Sequence, residues 1–318
     1  MNRILAARTG KEHFCAFICA SPNFIKDTRN IVLSDVIKKL QYSPFINEIL
    51  LKKEMDKLDF LSELKVNEFS YKLKLTDSEN DFKRVDLVLT FGGDGSILWA
   101  NRYTNQSHSP LFITFNCGNI GFLSHFLLDD VDWILSLFDQ NNNQEDFRII
   151  DFPKIVCSIF KDGKLIGNLK AVNEITIHRN QEYFIQLDLS ISDQPLITIN
   201  ADGIILSSEL GSTAYNSSLN GPIIYPSSGT IILNSIAPFG INFRPIVLPK
   251  GLTIKAKIKD RSKNSCYSIV SDSNERILIN EPGYEFQIFS SESEKISFLS
   301  KNHYFNSWCS KVKGVFNW

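Results

Sequence analysis

The spacing of apolar positions changes character near residue 140. Before that point the chain alternates short continuous apolar runs with segments of helical period. Phe14 to Ala20 is an unbroken apolar run ending at Ser21-Pro22-Asn23, which predicts a strand covered on both faces. Ile31, Val32, Val36, Ile37 and Leu40 then recur at helical spacing and predict a helix over Asp27 to Leu40. A second apolar run, Phe45 to Leu51, is followed by a polar, helix-leaning segment reaching about Glu79. Val85 to Thr90 and Leu111 to Phe115 read as further buried strands, with a helix from Ile97 to Tyr103 between them. Buried strands joined by helices predict a doubly wound, mostly parallel sheet.

The tract Gln140-Asn141-Asn142-Asn143-Gln144 is polar and structureless in pattern, and beyond it alternation with period two takes over. Lys154 to Phe160 and Lys164 to His178 flank Lys161-Asp162-Gly163, a strong hairpin signal. Apolar alternation continues through Tyr183 to Ile191, Leu196 to Ile199, Gly203 to Ser207 and on to Tyr284 to Phe289, with Pro222, Pro226, Pro238, Pro245 and Pro249 marking turns. The expectation is an α/β N-terminal domain over 1–144 and a mostly antiparallel all-β domain over 145–291. The aromatic-rich stretch from Ile296 to Trp318 is expected to pack back on the first domain, so that 292–318 returns to it.

Composition narrows the class of function. At 318 residues the chain is long enough for two domains. Its 34 Lys and Arg against 35 Asp and Glu create no global field for nucleic acid or an anionic membrane, so an anionic ligand must be held locally. The six cysteines are far apart, mostly in apolar runs, and lack Cys-x-x-Cys spacing, as expected of thiols in a reducing compartment. No apolar stretch approaches the roughly 20 residues of a membrane helix. A cytoplasmic protein is expected, with the basic, acid-free Met1 to Lys11 as a very short mitochondrial leader in the alternative.

The chemistry concentrates in a few segments. Gly92-Gly93-Asp94-Gly95-Ser96 follows a strand and opens a helix. Glycines there permit positive φ and close approach of another molecule, and the helix N-terminus suits a phosphate. Asp94 in such a seat is a Mg²⁺ ligand, a base for an attacking hydroxyl, or a helix cap. The spacing fits neither the dinucleotide fingerprint nor the P-loop, and no Lys follows, so cations must come from Mg²⁺ or from elsewhere in the chain. Asn116 to Leu123 forms a second glycine-rich loop after the next strand, with Phe122 available to stack on a ring. Asn173-Glu174, between Val172 and Ile175, pairs an amide and a carboxylate suited to the vicinal hydroxyls of a ribose. Asp202-Gly203 leads into Gly211-Ser212-Thr213-Ala214-Tyr215 and Ser218, a small-residue run suited to close backbone approach. The five histidines show no metal spacing, and there is no Gly-x-Ser-x-Gly elbow.

In this order, and with Phe243-Arg244-Pro245-Ile246-Val247-Leu248-Pro249 after them, these motifs resemble the NAD kinase family over roughly Phe14 to Leu299. The resemblance implies an active site in a crevice between the two domains. The reaction it implies is transfer of the γ-phosphoryl of ATP to the 2′-hydroxyl of the adenosine ribose of NAD, with Mg²⁺ accompanying ATP. It implies Asp94 as the general base or metal-linked carboxylate, and Gly92, Gly93, Gly95 and Ser96 as the phosphate loop. Phe122, Asn173, Glu174, Asp202, Thr213, Ala214, Tyr215 and Ser218 would bind NAD. A homodimer or homotetramer is implied as well, with no membrane or nucleic-acid partner. The chain departs from the family where Ser208-Glu209-Leu210 replaces Thr-Pro-Thr, Asp272-Ser273 replaces Asp-Gly and Phe239 replaces His, which predicts an altered donor side. The competing readings are a nucleotide-binding relative without turnover and a lipid or sphingoid-base kinase sharing the Gly-Gly-Asp-Gly loop.

Overall fold

A computed structural model describes residues 1–26, 30–58, 60–64, 69–104, 109–118, 121–138, 147–180, 184–240, 243–259, 266–273, 275–281, 283–301 and 308–318. Contacts divide the chain into two compact units, Met1–Asp151 with Ile296–Trp318, and Phe152–Lys295. Both divisions fall inside long strands, a few residues beyond the expected limits at 144 and 291. The tract 140–144 lies outside the described residues, as do Asp27, Thr28 and Arg29 at the start of the expected first helix.

The first unit is built on parallel strands β1 (Phe14–Ala20), β2 (Ile46–Lys52), β3 (Leu73–Thr76), β4 (Leu87–Gly92) and β5 (Leu111–Asn116). Pairing gives the spatial order β3-β2-β1-β4-β5. From β1 the chain builds one way to β3, then returns to the other side of β1 to lay down β4. This reversal opens a crevice at the carboxyl ends of β1 and β4, the position where open α/β sheets bind ligands. The short strand β6 (Phe126–Leu127) pairs with the end of β5, and Ser297-Phe298 pair in parallel with Leu111-Phe112. The C-terminal stretch therefore belongs to the first unit's sheet, and its helix Trp308–Phe316 follows.

Two local expectations are corrected. Past the one-turn helix Pro22–Ile25, the helix that leads to β2 runs Asn30–Tyr42 and buries Leu33, Val36, Ile37 and Leu40, a clean i, i+3, i+4, i+7 face, while Ile31 is 66% exposed. Leu73–Thr76 is a strand, although its segment is rich in helix formers; pairing of Leu73 to Thr76 with Ile49 to Lys52 overrides the local preference. The core of this unit contains Phe24, Phe91 and Phe115, which stack on one another in sequence.

Among the described residues the ladders of the second unit are antiparallel, formed by β7 (Phe147–Lys161) from Phe152 onward, β8 (Lys164–Ala171), β9 (Glu174–Arg179), β10 (Ile185–Ile191), β11 (Gln194–Ser208), β12 (Thr230–Phe239), β13 (Ile246–Pro249), β14 (Thr253–Lys259), β15 (Tyr267–Ser271), β16 (Glu275–Ile279) and β17 (Tyr284–Lys301) as far as Lys295. Asp162 and Gly163 both take positive φ, 49° and 78°, which is the hairpin turn expected there. The two expected strands Leu196–Ile199 and Gly203–Ser207 are one, because β11 runs through both. Its first half pairs with β10 and its second half lies between β9 and β12. Gly203 is required in that sandwich: a Cβ there would stand 2.3 Å from the Ile177 carbonyl oxygen.

Candidate active site

In the first unit the site is assembled at the crevice between β1 and β4. β4 ends at Gly92, and the helix Asp94–Thr104 starts two residues later. Gly92 is confined, since a Cβ would meet Ser96 Oγ at 2.2 Å and Ser21 Cβ at 3.0 Å. Gly93 and Gly95 have no atom within 4 Å of such a Cβ. None of the three takes positive φ, so their use is space and not a left-handed turn. The open surface above Gly93 and Gly95, beside a helix N-terminus, is where an anionic group fits.

Asp94 is not a cap of its own helix. Its Oδ2 accepts from the Phe122 amide at 2.9 Å and its Oδ1 from the Leu123 amide at 3.0 Å. The two glycine-rich loops are thereby joined through one carboxylate, and Phe122 is brought beside Asp94. Burial raises the Asp94 pKa, while the Leu123 and Phe122 amides and the Lys311 charge lower it. Lys311, from helix Trp308–Phe316, donates to the carbonyls of Phe122 at 3.3 Å and Ser124 at 2.8 Å. Burial brings its own pKa down to about 8 against the opposing pull of Asp94. Asn119 and Ile120 of the second loop lie outside the described residues.

In the second unit a cavity of about 530 Å³ is lined by Glu174, Asp202, Tyr215 and Arg179, with Asp272 and Arg276 among its other walls. Asn173 and Glu174 sit where β8 bends into β9, and both are buried. Among the described residues, Asn173 Oδ1 and Glu174 Oε2 have no hydrogen-bond partner. Unsatisfied buried acceptors are rare in folded proteins, and two on adjacent residues, of which Glu174 lines the cavity, are what a diol would satisfy. Burial and then the Asp272 charge push the Glu174 carboxyl up to about 8, opposed by the Tyr215 amide. Asp202 forms a two-pronged ion pair with Arg179, with contacts of 2.6 and 3.1 Å.

Asp272 explains how that bend is held. Its carboxylate accepts from the amides of Val172 at 2.7 Å, Asn173 at 2.7 Å and Glu174 at 3.2 Å. Burial raises its pKa to about 6, against the pull of those three amides and of Lys154. On the opposite side the Ser208 amide donates to the Asn173 carbonyl at 2.8 Å, and Ser208 Oγ donates to Val172 O at 2.6 Å. The small-residue run follows: Gly211 lies so close that a Cβ would be 2.2 Å from Asn173 O.

Thr213, Ala214 and Ser218 do not line the cavity; Thr213 Oγ1 turns back to Leu210 O at 3.5 Å, and Ser218 is exposed. Glu209, an acid where the family has Pro, is buried. Its Oε2 accepts from Ser228 Oγ at 3.2 Å and the Gly229 amide at 3.0 Å, so its charge clamps a turn. Phe239 is 66% exposed and stacks on Phe184 with ring centroids 5.6 Å apart. Sequence reasoning missed the part played by Asp272 and all of Lys311, whose partners are 98 to 100 and 187 to 189 residues away. The one available signal was the absence of a Lys in the first glycine loop, which required a cation from elsewhere.

Comparison with known proteins agrees with this layout. The sequence profile of the ATP-NAD kinase N-terminal domain matches residues 23–142, and that of the ATP-NAD kinase C-terminal domain matches 172–299. An NAD kinase of Treponema denticola is 30% identical over 80% of this chain and 88% of its own length. A bifunctional NADP phosphatase/NAD kinase of Methanocaldococcus jannaschii is 30% identical over 74% of this chain, which spans only 39% of that longer protein. Among solved structures, yeast NADH kinase complexed with NADH has the same fold, with a TM-score of 0.78 at 22% identity over 97% of this chain and 89% of its own.

Proposed function

We propose, from the premise that this chain belongs to the ATP-NAD kinase family, that it transfers the γ-phosphoryl of ATP to the 2′-hydroxyl of the adenosine ribose of NAD, giving NADP. The observation that carries the mechanism is the fixed Asp94 carboxylate at the sheet crevice, held on both oxygens by the Phe122 and Leu123 amides. A ribose hydroxyl is a weak nucleophile at neutral pH. Asp94 takes its proton as the new O–P bond forms and ADP leaves, a contribution of roughly 10²- to 10⁴-fold.

Gly92, Gly93, Gly95 and Ser96 receive the phosphates, in the space left open above Gly93 and Gly95. Phe122 lies against the dinucleotide. The unsatisfied Asn173 Oδ1 and Glu174 Oε2 accept from ribose hydroxyls. Asp202 and Tyr215 bind further along the cavity, and Thr213, Ala214 and Ser218, which stand off its walls beside Tyr215, are read as the backbone frame of the adenine region. Among the described residues no three His, Cys, Asp or Glu side chains form a metal site. We read magnesium as entering with ATP, as part of the Mg-ATP substrate; Asp94, at the start of the helix after the glycine loop, is the carboxylate that would approach it, and the ion would supply positive charge against the phosphates.

Glu209 is occupied in holding the Ser228-Gly229 turn, which gives this acid a structural task in place of the family's Pro. We read the protein as cytoplasmic and as a homodimer or homotetramer, to be tested by a fluorescent fusion and by sedimentation; among the described residues no helix is long and apolar enough to cross a membrane.

The test is incubation of pure protein with Mg-ATP and NAD, NADP formation being followed with a coupled dehydrogenase, alongside Asp94→Asn and with NADH as a second acceptor. Wild type forms NADP and Asp94→Asn loses at least 10²-fold in kcat. Wild type that forms no more product than Asp94→Asn, while both bind NADP, removes the kinase reading in favour of a binding protein.

A further inference from the structure

The Gly92 to Ser96 loop contains no cation, and neither Arg nor Lys follows it until Arg102. A half-buried carboxylate at the proposed phosphate seat needs one nearby, because desolvation by itself favours its protonated, inactive form. The structure brings such a charge from the far end of the chain. Lys311 stands on helix Trp308–Phe316, outside both stretches matched by the family profiles.

Its contacts interlock with those of Asp94. Asp94 accepts the amides of Phe122 and Leu123, and Lys311 donates to the carbonyls of Phe122 and Ser124. The peptide group joining Phe122 to Leu123 therefore has its oxygen on the ammonium and its N–H on the carboxylate. Charge-assisted hydrogen bonds at the two ends of one peptide dipole strengthen one another. The same segment carries Phe122, so its position and the state of Asp94 are set together.

We propose that Lys311 is a positioning residue for phosphoryl transfer: it holds the Phe122–Ser124 segment against Asp94 and supplies the positive charge that the glycine loop lacks. This rests on the reading of Asp94 as the base. Among the described residues the other titratable groups that bear on the place are His125, which burial and the charges of Lys311 and Arg148 keep neutral, and Arg148 itself. Neither replaces Lys311, because a neutral imidazole brings no charge and Arg148 acts on His125 and not on Asp94.

The sign of the pH effect follows. The Lys311 charge lowers the Asp94 pKa, so removing it raises that pKa, and the acidic limb of kcat/KM moves to higher pH. The experiment is the pH profile of kcat/KM for NAD in wild type, Lys311→Met and Lys311→Arg, with a thermal melt of each. Lys311→Met is expected to lose ~10²-fold in kcat/KM at neutral pH, the size of effect that a small misplacement at the reacting centre produces, and its acidic limb moves up. Lys311→Arg keeps the charge and the wild-type limb. If Lys311→Met does not fold, Lys311→Gln, which keeps an N–H donor for the carbonyls without the charge, reads the same limb. A neutral variant that melts like wild type and keeps both its rate and its acidic limb overturns the proposal; so does one that loses rate with the limb unmoved. Asp94→Asn retaining near wild-type activity would instead overturn the reading of Asp94, which keeps the two failures apart.

Discussion

Glu174 shows how far a single residue is set by its surroundings. Its carboxyl is buried beside Asp272, and both acids have pKa values raised by that burial. A group whose folded pKa lies above its unfolded value contributes stability that is full below the unfolded pKa and is lost as pH rises through the folded one. For Glu174 that window runs from its model-peptide range near 4.5 up to about 8. Glu174→Gln removes the penalty, so it should melt above wild type at pH 8, by ~2–4 °C for each kcal/mol relieved, with the gap closing below pH 4. Calorimetry across that range checks it. The same linkage gives a binding effect. Ribose hydroxyls donating to Glu174 favour its ionised form, so NAD affinity should rise between pH 7 and pH 9 in wild type and stay flat in Glu174→Gln, as titration calorimetry would show.

At the scale of elements, the turn after β11 is defined by how close it comes to the bend before β9. Gly211 packs on the Asn173 carbonyl with no room for a Cβ, and Ser208 bonds the same carbonyl. Gly211→Ala must push the Leu210–Thr213 turn away from Asn173. It should cost ~1–3 kcal/mol in urea denaturation and weaken NAD binding more than ATP binding. These elements also mark what the sequence made legible. Continuous apolar runs and glycine-rich punctuation located β1, β4 and β5, both glycine loops and the Asp162-Gly163 hairpin, because each is decided by neighbours in the chain. Leu73–Thr76 was hidden, because a four-residue edge strand is made by its partner β2 and not by its own residues. The grip of Asp272 on three amides and of Lys311 on two carbonyls left no local trace, since a lone Asp or Lys reads alike on a surface or in a clamp.

The whole molecule consists of a continuous unit, Phe152–Lys295, and a discontinuous one closed by Ile296–Trp318. Each has its own hydrophobic core. A fragment carrying only 152–295 retains every strand pairing of β8 to β16 and should fold alone, with a β-type circular dichroism spectrum and a cooperative melt. A fragment ending at 151 lacks the Ser297-Phe298 pairing to β5, and with it Phe298, which stacks on buried His125. It should melt at markedly lower temperature or remain unfolded, and adding a peptide of 296–318 should restore part of the loss.

That closure has a consequence for the chain as it is made. Segments leave the ribosome in order, and units generally fold as they emerge. The Asp94 loop is synthesised early, yet the lysine beside it arrives some two hundred residues later, after the whole of 152–295 has been translated. A nascent or prematurely terminated chain therefore holds the carboxylate without that counter-charge, and on the role proposed for Lys311 it should reach its full rate of phosphoryl transfer only once translation has passed that residue.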